Sequence, residues 1–246
     1  NFFPTTDLKS LLKAFLILTS LFLLPACSLI ESISSKQYSK EEFVTIWKTD
    51  NPGISGYNQI QITTLTQDQN YTVHWGDGSV SKNVPGTITH TYSTPGTYTV
   101  RILGDFTNLY HAKRVDNNKL ISIEQWGNIK WSTMEYAFKR CSNLTINALD
   151  SPNLHAVESM RGMFSLARNF NADINKWDTS SVKDMAYMFL GANSFNGNIS
   201  DWNVSSVTNM KSMFFEATSF NQNINNWDVS SVTNMESMFD SARSFN

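Results

Sequence analysis

Apolar and polar positions follow two different beats along this chain. From Phe43 to about Gly104 the beat is two: Phe43, Thr45 and Trp47 alternate with their neighbours, as do Ile60 and Ile62, then Tyr71, Val73 and Trp75, then Tyr98, Val100 and Ile102. Turn signals divide these runs, notably Gly76-Asp77-Gly78-Ser79 and Pro95-Gly96. A period of two belongs to strands with one face turned inward. Short strands separated by Gly and Pro turns predict an antiparallel β-sandwich.

The second beat is 25 residues long. Trp177, Trp202 and Trp227 keep that step, as do Met185, Met210 and Met235, and Phe189, Phe214 and Phe239. Such self-similarity predicts a solenoid of stacked units, none of which can bury its apolar face alone. Within a unit, Val207, Met210, Met213, Phe214 and Ala217 have the spacing of one helix face, with Ser205 and Ser206 placed to cap it. Trp227 and Val229, two apart, predict a short strand in the other half of the unit. The expectation is therefore an α/β repeat. All nine Met lie between Met134 and Met238, at core spacing beside Phe. Asn171, Asn196, Asn221 and Asn246, each following a Phe, predict a ladder of side-chain amides that satisfies backbone groups in a turn; a ligand role is the alternative.

An earlier, degenerate copy reads Ala137-Phe138-Lys139-Arg140-Cys141-Ser142-Asn143-Leu144-Thr145. With it the pattern resembles the BspA-like leucine-rich-repeat surface proteins over roughly Leu120 to Asn246, although Trp stands where that form has a small aliphatic strand residue. WGDGS at 75–79 and HTYSTPGTYTVRI at 90–102 are similar to the two signatures of a PKD domain, an immunoglobulin-like module. Together the resemblances imply a multidomain chain, an immunoglobulin-like antiparallel β-sandwich followed by an α/β leucine-rich-repeat-like solenoid. The expected division is a signal peptide at 1–26, a lipidated Cys27 and polar tether at 27–42, the PKD-like sandwich at 43–104, a connector and solenoid cap at 105–133, and repeats at 134–246. The last copy stops at Phe245-Asn246 before its strand, so the sequence is expected to be a piece of a longer chain.

The N-terminal segment has its own chemistry. Lys9 and Lys13 precede an apolar run of eleven, Ala14 to Leu24. That is shorter than the about 20 residues a membrane-spanning helix needs, and it suits a signal peptide. Leu24-Pro25-Ala26-Cys27 resembles the lipobox of bacterial lipoproteins, which implies acylation of Cys27 and, with Ser28 following it, an outer-membrane destination. An ordinary secretory signal is the other reading. The second cysteine, Cys141, stands where later copies carry Ala and reads as a buried small residue; pairing with Cys27 is the alternative.

Charged residues make up 16% of the chain and the net charge is −2, so no basic excess points to nucleic acid. The four histidines are scattered, with no metal-ligand spacing, and no nucleophile elbow or phosphate loop is present. The expectation is a non-enzymatic protein without cofactor or metal. Its function is expected to be adhesion or recognition of an extracellular protein or glycan, with the membrane reached through the lipid. An accessory module of a secreted hydrolase and an architectural envelope protein are the alternatives. The candidate binding face is the outward set Asn175, Lys176, Asp178, Ser200, Asp201, Asn203, Asn225, Asn226 and Asp228. Lys113, Arg114 and Lys119 flank Asp116-Asn117-Asn118 and read as a solvated turn, with an anion site as the alternative.

Overall fold

Every alternating run of the first half becomes a strand, because a residue pattern of period two leaves one face of an extended chain to be buried. The computed structural model describes residues 38–113 and 115–246. The signal segment, Cys27 and most of the tether lie outside the described residues. The strands are β1 (Phe43–Lys48), β2 (Gln59–Ile62), β3 (Asn70–His74), β4 (Val80–Val84), β5 (Ile88–Thr91), β6 (Thr97–Asp105), β7 (Leu120–Gln125) and β8 (Thr145–Ile146). Six of them form one sheet in the order β4-β3-β6-β1-β7-β8, and β2 and β5 pair separately.

The large sheet is mixed. β1 runs antiparallel to β6, with Thr45 opposite Val100, and to β7 on its other side. β7 then pairs in parallel with β8, Ser122 opposite Thr145. The inward residues Trp47, Tyr71, Val73, Val100, Ile102 and Ile123 are buried. Two of the buried polar side chains find partners on site, whereas the indole N–H groups of Trp126 and Trp131 have none among the described residues. The Trp47 indole donates to Thr45 Oγ1 at 2.9 Å, and the Tyr92 hydroxyl donates to the Trp75 carbonyl at 2.9 Å. The expected immunoglobulin-like sandwich of two antiparallel sheets is not found, and the PKD resemblance falls with it. Alternation specifies that a strand exists and which face it buries. It does not specify the partner, and here β7 and β8 extend one sheet while only β2 and β5 remain for the other.

The repeats depart further from expectation. Among the described residues no helix forms, so the α/β leucine-rich-repeat-like solenoid is corrected, and with it the BspA-like resemblance. Each stretch expected to be helical is two tandem four-residue turns. In one copy the Met213 N–H donates to the Met210 carbonyl and the Ala217 N–H to the Phe214 carbonyl. The third residue of each turn is left-handed, Ser212 at φ 50° and Glu216 at φ 56°. That conformation is the one a type II turn requires at that place and one that a right-handed helix excludes. The same two positions are left-handed in neighbouring copies: Gly162 and Leu166, Tyr187 and Gly191, Ser237 and Ser241. Two consecutive turns that begin and end inward put apolar residues at i, i+3, i+4 and i+7. This is also the spacing of a helix face, so periodicity alone does not separate the two structures. The expected Trp227–Val229 strand does not form either: these residues link two turns, closed by the Trp227 N–H on the Ile224 carbonyl and the Val232 N–H on the Val229 carbonyl.

The backbone bonds explain why the turns win. The N–H groups of Met210, Ser212, Phe214 and Glu216 donate to the carbonyls of Asn234, Glu236, Met238 and Asp240 in the next copy, and the alternate amides close the turns. The same set of four recurs between neighbouring copies from Met134 onward. Buried backbone groups are thus satisfied between copies as well as within them. Stacking aligns the side chains too. Phe164, Phe189, Phe214 and Phe239 form one column with ring centroids 5.5–5.7 Å apart. Phe170, Phe195, Phe220 and Phe245 form a second column at 5.6–6.0 Å. The Trp202 and Trp227 indoles donate to carbonyls of Ile174 and Ile199 in the copies before them. The Asn column acts as a ladder. The side-chain oxygens of Asn171 and Asn196 accept from the backbone N–H of the next Asn at 2.9 Å.

Candidate functional site

The candidate cleft lies where the first two copies meet the loops that flank the large sheet. It is open, about 620 Å³, and lined by Pro52, Gly53 and Ile54 from the loop after β1, by Val115, Asn117 and Asn118 ahead of β7, and by Arg140, Ser142, Leu166 and Arg168. Arg140 and Leu166 are the left-handed tips of the second turn in consecutive copies, at φ 62° and 60°. Such a tip turns its side chain away from the core. Ser142 and Arg168 follow two residues later in each copy, and the Arg168 N–H donates to Ser142 Oγ at 3.4 Å. None of the lining residues is acidic, and among the described residues neither guanidinium has a carboxylate partner.

Beneath the cleft is a buried charge cluster. Asp116 is fully buried and Lys119 is 1% exposed, so the solvated turn expected around them is corrected. Asp116 Oδ1 accepts from the N–H groups of Ile54 and Ser55, both at 3.0 Å. Its Oδ2 accepts from the Ser55 hydroxyl at 2.5 Å and the Gln61 N–H at 2.7 Å. Lys119 Nζ donates to Ser55 Oγ at 2.7 Å and to the carbonyls of Gly56 and Gln59 at 2.8 and 2.9 Å. Burial pushes the Lys119 pKa down, against the opposing pull of Asp116 and Asp50. Asn117 extends the chain of bonds, with Nδ2 donating to the Lys139 carbonyl beside Arg140 at 2.6 Å. The walls of the cleft are thereby bonded to one another.

Other polar groups satisfy themselves. Ser79, His90 and Asp77 lie within hydrogen-bond reach, but Ser79 Oγ and Asp77 Oδ2 both approach His90 Nε2, at 3.3 and 2.8 Å. A nucleophilic relay needs the hydroxyl on one ring nitrogen and the carboxylate on the other. Slight burial works to raise the Asp77 pKa, but hydrogen bonds from Ser79 and His90 outweigh it and hold it at about 2. Tyr136, Arg161, Tyr187 and Lys211 form a column along the turns. Arg161 lies 4.7 Å over the Tyr187 ring and reaches Asp184 at 3.4 Å, and Lys211 reaches Glu236 at 2.7 Å, so these cations are already engaged. Cys141 is buried with a free thiol within hydrogen-bond reach of His111 Nδ1 at 3.5 Å, and burial pushes its pKa up, away from reactivity. Among the described residues no cluster of three His, Cys, Asp or Glu is placed to hold a metal, and no helix is long and apolar enough to cross a membrane.

The sequence-derived face is mostly occupied with its own turns. Asp178, Asn203 and Asp228 stand at one coil position, and their Oδ1 atoms accept from the N–H groups of Ser180, Ser205 and Ser230 at 3.0–3.1 Å. Hydrogen bonds from the Ser180 side chain and backbone lower the Asp178 pKa. Asn175 exchanges two bonds with Asp201, at 2.6 and 2.9 Å. The N–H groups of Ser200 and Asn225 donate to Asn198 and Asn223. Lys176 and Asn226 are exposed, and among the described residues their side chains bond to nothing. Cys27 lies outside the described residues. The arginine cleft was missed because its residues belong to the degenerate copies. The available signal was departure from the repeat: Arg140 and Leu166 stand where later copies have Gly191, Glu216 and Ser241.

Residues 132–246 match the family model described as Mycoplasma protein of unknown function, DUF285. The match covers the copies and none of strands β1–β7. Comparison with curated proteins and with solved structures finds no match. The expected role of an α/β repeat face in adhesion is therefore corrected: the helical layer that was to back it does not form, and the description of the matched family names neither a leucine-rich repeat nor a PKD domain.

Proposed function

We propose that the chain is a binding protein held at a bacterial cell envelope through lipid on Cys27, and that it takes the anionic part of an extracellular protein or glycan in the arginine cleft. One observation carries the binding reading: Arg140 and Arg168 line an open cleft with no acidic residue in its walls. Buried arginines are normally paired; Arg140 is half-buried and Arg168 exposed, and both are open to a partner from solution. Two guanidiniums left available over a rigid floor suit a ligand that brings the negative charge. The sequence Leu24-Pro25-Ala26-Cys27 supports the anchor. The reading assigns no chemical reaction to the cleft.

The test has two arms. Calorimetric titration with acidic and neutral ligands should show saturable binding of the acidic ones, abolished by Arg140→Ala with Arg168→Ala. Equal binding by the double variant would overturn the cleft. Labelled fatty acid should enter the protein in an expressing bacterium and fail to enter a Cys27→Ser variant; label in the variant would overturn the anchor.

A further inference from the structure

We propose that the ligand of the cleft is a carboxylated sugar, a hexuronate residue of an acidic glycan. This rests on the anion-binding reading above and narrows it. The charged groups come first. A planar guanidinium matches a planar carboxylate through two parallel hydrogen bonds, and two guanidiniums line this cleft. Phosphate would pair with a guanidinium in the same way, so the charged groups select an anion and the walls select the sugar. The walls come second. Pro52, Ile54, Val115 and Leu166 give the cleft an apolar side, while Asn118 and Ser142 give it hydrogen-bonding groups. A pyranose ring is amphipathic in the same sense, with C–H faces and a hydroxyl edge. The volume, about 620 Å³, lies within the range of small-ligand sites.

Rigidity comes third. Gly53 packs so closely on the floor that an added Cβ would lie 2.4 Å from Asp116 Oδ1 and 2.7 Å from Lys119 Cε. The Gly53–Ser55 loop is fixed by the Asp116 and Lys119 bonds described above, and Asn117 ties the floor to the Arg140 turn. A slot set before binding favours a stiff ring over a flexible chain, because little ordering remains to be done.

The experiment is calorimetry of the full chain with glucuronate, glucose and inorganic phosphate. Glucuronate should bind at least about tenfold more tightly than either of the others. Arg140→Lys with Arg168→Lys, which keeps the charge and loses the planar fork, should weaken glucuronate by at least about tenfold. Both arginines reach solvent, so thermal unfolding should match the wild type and exclude misfolding as the cause. Phosphate binding as tightly as glucuronate would overturn the sugar proposal and leave an anion site standing. Glucose binding as tightly would remove the carboxylate from recognition. Binding of none of the three would overturn the proposal together with the reading beneath it.

Discussion

The sheet region and the stacked copies bury similar side chains by opposite means. In the sheet, Thr45 pairs with Val100 and Ile123 on two other strands, so β1 is completed by segments far away in sequence. In the stack, each copy is completed by the next, through four backbone bonds and two phenylalanine columns, each repeated at its own coil position. The sheet closes on a set of unlike partners. The stack is a row of like ones. A lesion should therefore spread differently in the two regions, and the following experiments probe that difference.

Phe189→Ala has the largest expected effect. Phe189 is stacked on Phe164 and Phe214 and on Phe195 of its own copy. Its removal should cost about 3–5 kcal/mol in denaturant unfolding. Hydrogen exchange should show the amides of Met185 and Met210 losing protection while Thr45 and Val100 retain theirs. Equal loss in both regions would show that they open as one unit.

Lys119→Met comes next, because Lys119 stands in the connection between the regions. It leaves the Ser55, Gly56 and Gln59 acceptors without their buried donor and removes the cation nearest Asp116, at an expected cost of about 3 kcal/mol. Cleavage in the 53–59 loop by a protease should rise with it. An unchanged loop would mean that Asp116 alone holds that wall.

His111 lies between Trp47 of the sheet and Cys141 of the first copy. Burial lowers its pKa to about 4, against the opposing effects of a bond to Ala137 and the Asp116 charge. The unfolded imidazole titrates near 6.5. The folded state thus binds fewer protons between those values. The stabilising effect is complete above about pH 6.5 and is lost as pH falls toward 4, by up to about 3 kcal/mol. Urea midpoints from pH 7 to 4.5 should fall in the wild type and fall less in His111→Gln.

The smallest expected effect is decisive in sign. Glu216 is exposed and left-handed. Glu216→Gly should stabilise by about 1 kcal/mol. In a helix the same change would destabilise by about 1 kcal/mol. A loss in thermal unfolding would restore the helical reading of the repeat.

The strands were legible because alternation such as Tyr71, Val73 and Trp75 has one structural meaning. The copies were legible as copies, and their Asn ladder with them, because identity at a fixed step needs no choice of conformation. Their internal form was not, because Met210, Met213, Phe214 and Ala217 fit a helix face and a pair of turns equally well. The left-handed residues that separate the two include Tyr187, Leu166 and Glu216, which carry no turn signature of their own. The cleft was illegible for another reason. Its residues come from four separate segments, and Asp116 and Lys119 declare their burial only when the loop at Gly53 closes over them.

The bonds between copies also have a mechanical meaning. Each copy holds the next by four N–H groups spaced along the turns, at Met210, Ser212, Phe214 and Glu216 in one case. A pull on residue 246 loads these bonds one after another, as in a zipper, and does not shear them together. The stack should therefore yield at low force in equal steps, each releasing one 25-residue copy and about 85 Å of extended chain. The sheet, where β1 is held on both sides along its length, should resist longer. Stretched between two attachments, such a molecule would lengthen in counted increments before its sheet gave way.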